Sequence, residues 1–377
     1  MRAVWLTLLA LGSVSACAAE TPPIERPELV AESQPAPTVR QEEAAPLIAK
    51  ASDSSEPPSV TAKIHKPYDT TKRTEERAAR VAQLRQQTPV PVRFSGLDQA
   101  NAVFGGEVTF SAPECFGDAV QGGLVICNLP RFSQYTINQN PKKFDAAGPY
   151  STWAFIGLDR DAGSKLSMNY TFNFHGGPRA KMSLEFDVAK RDWDISRIDG
   201  LPKNMVSEYT PEELARIRRA SARKKIGFAS NSQEVGFYNG FISPIPSDFT
   251  KTTNFGAQRI LNGEPKRPHY GVDLAAPKGT PIIAPADGVV SLADDDMYFE
   301  GALIMIDHGK GLISYYLHME DVMVEDGQTV KRGEQIATVG SKGRSTGPHL
   351  CWRLKWHGRN LDPELLTKWT ERAQTNR

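Results

Sequence analysis

Two stretches, from Pro91 to about Gly200 and from Phe241 to Trp356, are written as short runs of β-forming residues cut by glycine and proline. That punctuation leaves room for strands and turns but not for long helices. In the first stretch, strands are predicted over Gly106–Phe110, Gly123–Ile126, Ser151–Ile156, Lys165–Phe174 and Lys181–Val188, the spacing of a small antiparallel sandwich. In the second they are predicted over Thr280–Ala284, Gly288–Leu292, Ala302–Asp307, Leu312–His318, Gln335–Val339 and His349–Trp356, with no helical period until Asp362–Arg372. The fold class is therefore mainly β: an N-terminal antiparallel β-sandwich-like domain, a short connecting helix and a C-terminal antiparallel β domain. The helix announces itself by Thr210, Pro211 and Glu213, a capping box with proline at the first helical position. Arg216, Arg218, Arg219, Arg223, Lys224 and Lys225 then read as a solvated face, or else as a contact for an anionic polymer.

Composition narrows the partners. The 377 residues carry 45 Lys+Arg against 44 Asp+Glu, a formal charge of +1, so the basic footprint of a nucleic-acid binder is missing. The long apolar run Ala3–Val14 is shorter than the roughly 20 residues a bilayer span needs. With Arg2 before it and small residues after it, the run has the order of a secretory signal. Val14, Ser15, Ala16 and Cys17 resemble a bacterial lipobox, which makes Cys17 a lipidation site and gives the protein a membrane anchor. Ala18 and Ala19 then point to the outer membrane of a Gram-negative cell, facing the periplasm; plain secretion is the alternative. The expected organisation is a signal peptide over 1–16 and a Pro/Ala/Glu-rich spacer over 17–88. A β-sandwich-like accessory domain over 89–205, a helical linker over 206–235 and the C-terminal domain over 236–370 follow. Cys115 and Cys127 lie close together in a compartment that permits oxidation, which favours a disulfide over two buried thiols.

Chemistry concentrates in the C-terminal domain, where four of the seven histidines fall between His269 and His349. His269 and Asp273 are an even offset apart and share one side if the segment is extended; Gly271 between them disfavours a helix. His349 and Cys351 project from one strand face, opposite Leu350, Trp352 and Leu354. His318 ends a third strand, with Tyr316 on the same face and read as lining the groove. Imidazole, carboxylate and thiolate are all zinc donors. Gly343, Ser345 and Gly347 match a GxSxG elbow, but Pro348 and a strand follow where that motif needs a helix, so the segment reads as a loop. His308 reads as structural, His175 beside Gly176 and Gly177 as a turn residue, and His357 and His65 have no motif support.

The order Asn254-Phe255-Gly256, Pro268 to Pro277, Gly279-Thr280-Pro281, Ala284 to Val290, Ile306 to Leu312, Tyr316 to Met319, Val330 to Gly333 and Gly340 to Leu350 resembles the lysostaphin/LytM-type zinc metallopeptidases. The resemblance implies one zinc ion on His269, Asp273 and Cys351, with His318 and His349 as catalytic histidines. It also implies a LytM-type fold and hydrolysis of peptidoglycan crosslinks. The family usually has histidine where Cys351 stands and often an acidic residue where Arg353 stands. A thiolate ligand brings the formal charge of the metal and its ligands to zero, so a slower enzyme or a more alkaline optimum is expected. The rival reading is a LytM-like module without catalysis that binds the wall or activates a cell-wall amidase, with division proteins as further partners.

Overall fold

The computed structural model describes residues 79, 82, 85–96, 98, 102, 113–129, 134–137, 140–145, 153–173, 179–232, 235–238 and 240–375. The signal segment, Cys17, most of the spacer, His65, His175 and the strand expected at Gly106–Phe110 lie outside them. The first body contains β1 (Pro89–Val90), β2 (Arg93–Ser95), β3 (Cys115–Gly117), β4 (Leu124–Asn128), β5 (Gln134–Ile137), β6 (Asn140–Asp145), β7 (Trp153–Gly157), β8 (Lys165–Asn173) and β9 (Arg179–Asp187). They form two antiparallel sheets, ordered β1-β3-β4-β7 and β2-β9-β8-β5-β6. In β9 the alternation is visible directly: Ala180, Met182, Leu184 and Phe186 are buried and their neighbours are not. Cys115 and Cys127 face each other across β3 and β4 and are joined by a disulfide.

β10 (Ile195–Ile198) leads to helix α1 (Pro211–Phe228). The Thr210 hydroxyl accepts from the Glu213 amide at 3.2 Å while the Glu213 carboxylate accepts from the Thr210 amide at 2.9 Å, so both halves of the capping box form. The helix lies on the C-terminal sheet. A Cβ on its buried Gly227 would come within 2.8 Å of Met305 Sδ, which is why the helix can approach so closely. Its cations meet acids of that sheet: Arg216 with Asp296 at 2.6 Å, Arg223 with Asp294 at 3.3 Å, and Lys224 with Glu300. Part of the basic face is thus spent within the molecule.

The C-terminal body contains β11 (Thr250–Thr253), β12 (Gln258–Leu261), β13 (Glu264–Pro265), β14 (Val272–Ala275), β15 (Pro281–Ile283), β16 (Gly288–Met297), β17 (Gly301–Asp307), β18 (Leu312–Val322), β19 (Thr329–Val330), β20 (Gln335–Val339), β21 (His349–Trp356), β22 (Arg359–Leu361) and α2 (Pro363–Thr375). One sheet runs β11-β14-β21-β18-β17-β16-β19, with β15, β20 and β22 attached. β18 continues past His318 because β20 pairs with its extension, Met319 opposite Val339 and Val322 opposite Ala337. The two bodies share one buried core. β10 pairs in parallel with β12, and Gly157 lies so close to Trp356 that a Cβ there would sit 2.9 Å from the indole.

His308 occupies the core beside this sheet, fully buried, with Nδ1 2.8 Å from the Asp287 carbonyl and Nε2 2.7 Å from Ser314 Oγ. Burial lowers its pKa to about 4. Unfolding exposes a ring that titrates near 6.5, so the contribution is complete above that pH and is lost as pH falls toward 4. The metal-free protein should lose roughly 3 kcal/mol from this ring over that window, read as a falling urea midpoint. His308→Asn, with no ring to charge, should show a shallower fall.

Candidate metal centre

Three neighbouring strands bring the site together. Asp273 of β14 stands opposite Cys351 of β21, and Cys351 stands opposite Leu317 of β18, so residue 318 arrives at the same row. His349 shares the face of Cys351 two residues earlier, as a strand requires. His318 has φ 69°, uncommon for a residue with a side chain, and its conformation is held by two bonds. Its amide donates to the Glu300 carbonyl at 2.9 Å, and its Nδ1–H donates to the Lys342 carbonyl at 2.8 Å. The same left-handed turn breaks the strand's alternation at this point. Tyr316 accordingly does not line the groove. It is fully buried, with its hydroxyl 2.7 Å from Ser314 Oγ, part of the core network that ends on His308.

His269, Asp273 and Cys351 offer donor atoms that all lie within 4.8 Å of one another; among the described residues these are the three His, Cys, Asp or Glu side chains so grouped. Asp273 Oδ1 is 3.1 Å from His269 Nε2, and Cys351 Sγ is 3.5 Å from that same nitrogen. A nucleophile relay needs its thiol and carboxylate on opposite ring nitrogens. Here both crowd one nitrogen, whose single proton cannot serve the two, and Oδ1 is buried without a hydrogen-bond partner. A shared cation resolves that arrangement. The donor set and its spacing fit zinc, and all three residues are buried, as a preformed site requires.

Electrostatics prepare the donors unequally. Burial lowers the His269 pKa to about 4, so the ring is neutral and its lone pair available. Burial opposes the Asp273 charge, but His269 and Arg259 outweigh it and hold the carboxyl well below its usual range. Burial pushes the Cys351 thiol up to about 12, against the pull of Arg353. Two guanidinium groups touch the carboxylate and the thiol: Arg259 Nη2 is 3.2 Å from Asp273 Oδ2, and Arg353 Nε donates to Cys351 Sγ at 3.2 Å. The sequence gives no local signal for Arg259, which reaches Asp273 from β12. Gly271 is required because a Cβ there would lie 2.4 Å from Arg353 Cγ.

The two remaining histidines stand together, ring centroids 4.8 Å apart. His349 Nδ1–H donates to the Gly347 carbonyl at 2.9 Å, with Ser345 Oγ at 3.2 Å, so the GxSxG serine, in the loop before β21, braces that strand's first residue. That leaves His349 Nε2 facing Asp273 Oδ1 at 3.8 Å. Burial, then the neighbouring charge of His349, lowers the His318 pKa to about 3. His357 is exposed and remote from this set, while the described residues do not include His65 or His175.

The sequence profile of peptidase family M23 matches residues 267–363. A stretch of 97 residues is 44% identical to an uncharacterized metalloprotease of Haemophilus influenzae, covering 26% of this chain and 20% of that protein. A stretch of 121 residues is 40% identical to the peptidoglycan DD-endopeptidase ShyA of Vibrio cholerae, covering 32% of this chain and 28% of that protein. The chain thus spans less than a third of the length of these relatives. A crystal structure from Pseudomonas aeruginosa that bears the name of an M23 peptidase superposes with TM-score 0.50 at 26% identity, covering 66% of this chain and 95% of the other.

With His269 neutral and Asp273 ionised, Cys351 is the one of the three grouped donors that would have to shed a proton to bind a metal. Zinc uptake near pH 7 should therefore release about one proton at the thiol, measured by calorimetry in buffers of different ionisation heat. Cys351→Ser should bind zinc far more weakly and release correspondingly less.

Proposed function

We propose that the protein is a zinc-dependent endopeptidase that hydrolyses peptide crosslinks of peptidoglycan, a reading supported by the match of residues 267–363 to peptidase family M23. The observation that carries this reading is the meeting of Asp273 Oδ1 and Cys351 Sγ on one nitrogen of His269, with His318 and His349 beside them. A single zinc ion held there would supply a Lewis acid for the scissile carbonyl and lower the pKa of the attacking water. The protein's own part is proton handling. Both histidines spend their Nδ1–H on backbone carbonyls, at 2.8 Å and 2.9 Å, which fixes the neutral tautomer with a lone pair at Nε2. One Nε2 accepts the proton of the attacking water. The resulting N–H then donates to the oxyanion or to the departing amine. No covalent intermediate is needed.

The names of relatives support a DD-endopeptidase, and we assign the cut to D-alanyl bonds to a diamino acid in the wall crosslink. The run Ala3–Val14 and Cys17 support export and a lipid tether at the periplasmic face of the outer membrane, with the accessory β-body between spacer and enzyme. An inert docking module has no use for two tautomer-fixed histidines next to a buried donor triad.

Digestion of defined crosslinked muropeptides by the zinc-loaded protein should give new termini at one bond, read by mass spectrometry; intact crosslinks would remove the peptidase reading. His318→Ala should lower kcat by roughly a hundredfold to ten-thousandfold while zinc content stays the same.

A further inference from the structure

We propose that Arg353 is a positioning residue that makes a cysteine workable as the third metal ligand, so that Cys351 and Arg353 form one functional pair. The inference rests on the reading of His269, Asp273 and Cys351 as a zinc site. Arg353 lies two residues beyond Cys351 on β21 and therefore on its face, and its Nε–H reaches Sγ at 3.2 Å. Its stem crosses the space left by Gly271, and its guanidinium carbon lies 5.9 Å from the centre of the Tyr315 ring. The side chain is thus steered onto the sulfur from two sides.

The chemistry explains why the pair belongs together. A thiolate ligand adds a negative charge that a neutral imidazole does not, and an acidic residue at position 353 would stand against it. A guanidinium there does the opposite. It hydrogen-bonds the sulfur, draws charge away from it and orients its lone pair, the role that outer partners of metal ligands play. Arg259 stands in the same relation to the other anionic ligand, at 3.2 Å from Asp273 Oδ2. Counting both guanidinium groups, the formal charge of zinc, carboxylate and thiolate moves from zero to plus two. The neutral, weakly acidifying centre expected from Cys351 alone is thereby offset by residues of this chain.

A two-by-two comparison tests the pairing: the full chain, Arg353→Gln, Cys351→His and the double variant, each titrated with zinc against a chromophoric chelator and each loaded with cobalt(II). The ratio of zinc affinities, arginine over glutamine at position 353, should be at least tenfold larger with Cys351 than in the Cys351→His background. In the cobalt form, Arg353→Gln should move the sulfur-to-cobalt absorption to longer wavelength, because the sulfur loses its hydrogen bond. Arg353→Lys, which keeps the charge and loses the Nε donor, should recover part of the affinity and leave the band shifted; it replaces glutamine in the comparison if circular dichroism finds that variant unfolded. Equal ratios in both backgrounds with an unmoved band overturn the inference while leaving the metal site standing. Uptake of neither metal by the wild type overturns both.

Discussion

The crowding of a carboxylate and a thiol onto one imidazole nitrogen is the constraint on which the site depends. Asp273 Oδ1 and Cys351 Sγ lie 3.1 Å and 3.5 Å from His269 Nε2 in a buried pocket where water cannot relieve them. Such an arrangement is costly unless a cation completes it, and that cost is what the surrounding sheet must carry. The pairing of β14 with β21, and of β21 with β18, sets the row of Asp273, Cys351 and Leu317. A slip of one residue in either pairing would turn the donors to the opposite face.

The rest of the fold serves to keep that register. α1 closes one side of the sheet through Ala220 and Gly227, packing into the same apolar cluster that buries Cys351. The accessory β-body shares the core on the other side, through Phe155, Trp352 and Trp356. Strands carry the two histidines we assign to proton handling, His318 in β18 and His349 at the start of β21, and backbone carbonyls hold their rings: that of Lys342 fixes His318, and that of Gly347 fixes His349. Ring direction and tautomer are thus set by backbone, which is harder to displace than a side chain.

The readable parts were those with local period or local motif. The alternation of β21 separates His349 and Cys351 from Leu350 and Trp352, and the even spacing of His269 and Asp273 survives as the corner of the site. The capping box at Thr210 and Glu213 forms as written, within a helix shorter than the linker assigned to it. Other features depend on chain reversals that leave no local trace. His318 adopts a left-handed backbone conformation, so Tyr316 goes to the core although strand parity groups the two. Arg259 reaches Asp273 from β12, a strand of the separate β10-β12-β13 sheet, and Arg353 reads as a mere departure from a pattern until its Nε is found on the sulfur.

The most direct measurement is zinc-edge X-ray absorption on the purified, reduced protein. The account predicts one zinc per chain with a single sulfur neighbour at about 2.3 Å and nitrogen or oxygen neighbours at about 2.0–2.1 Å. A zinc-free protein, or bound zinc with no sulfur in its coordination shell, would contradict it.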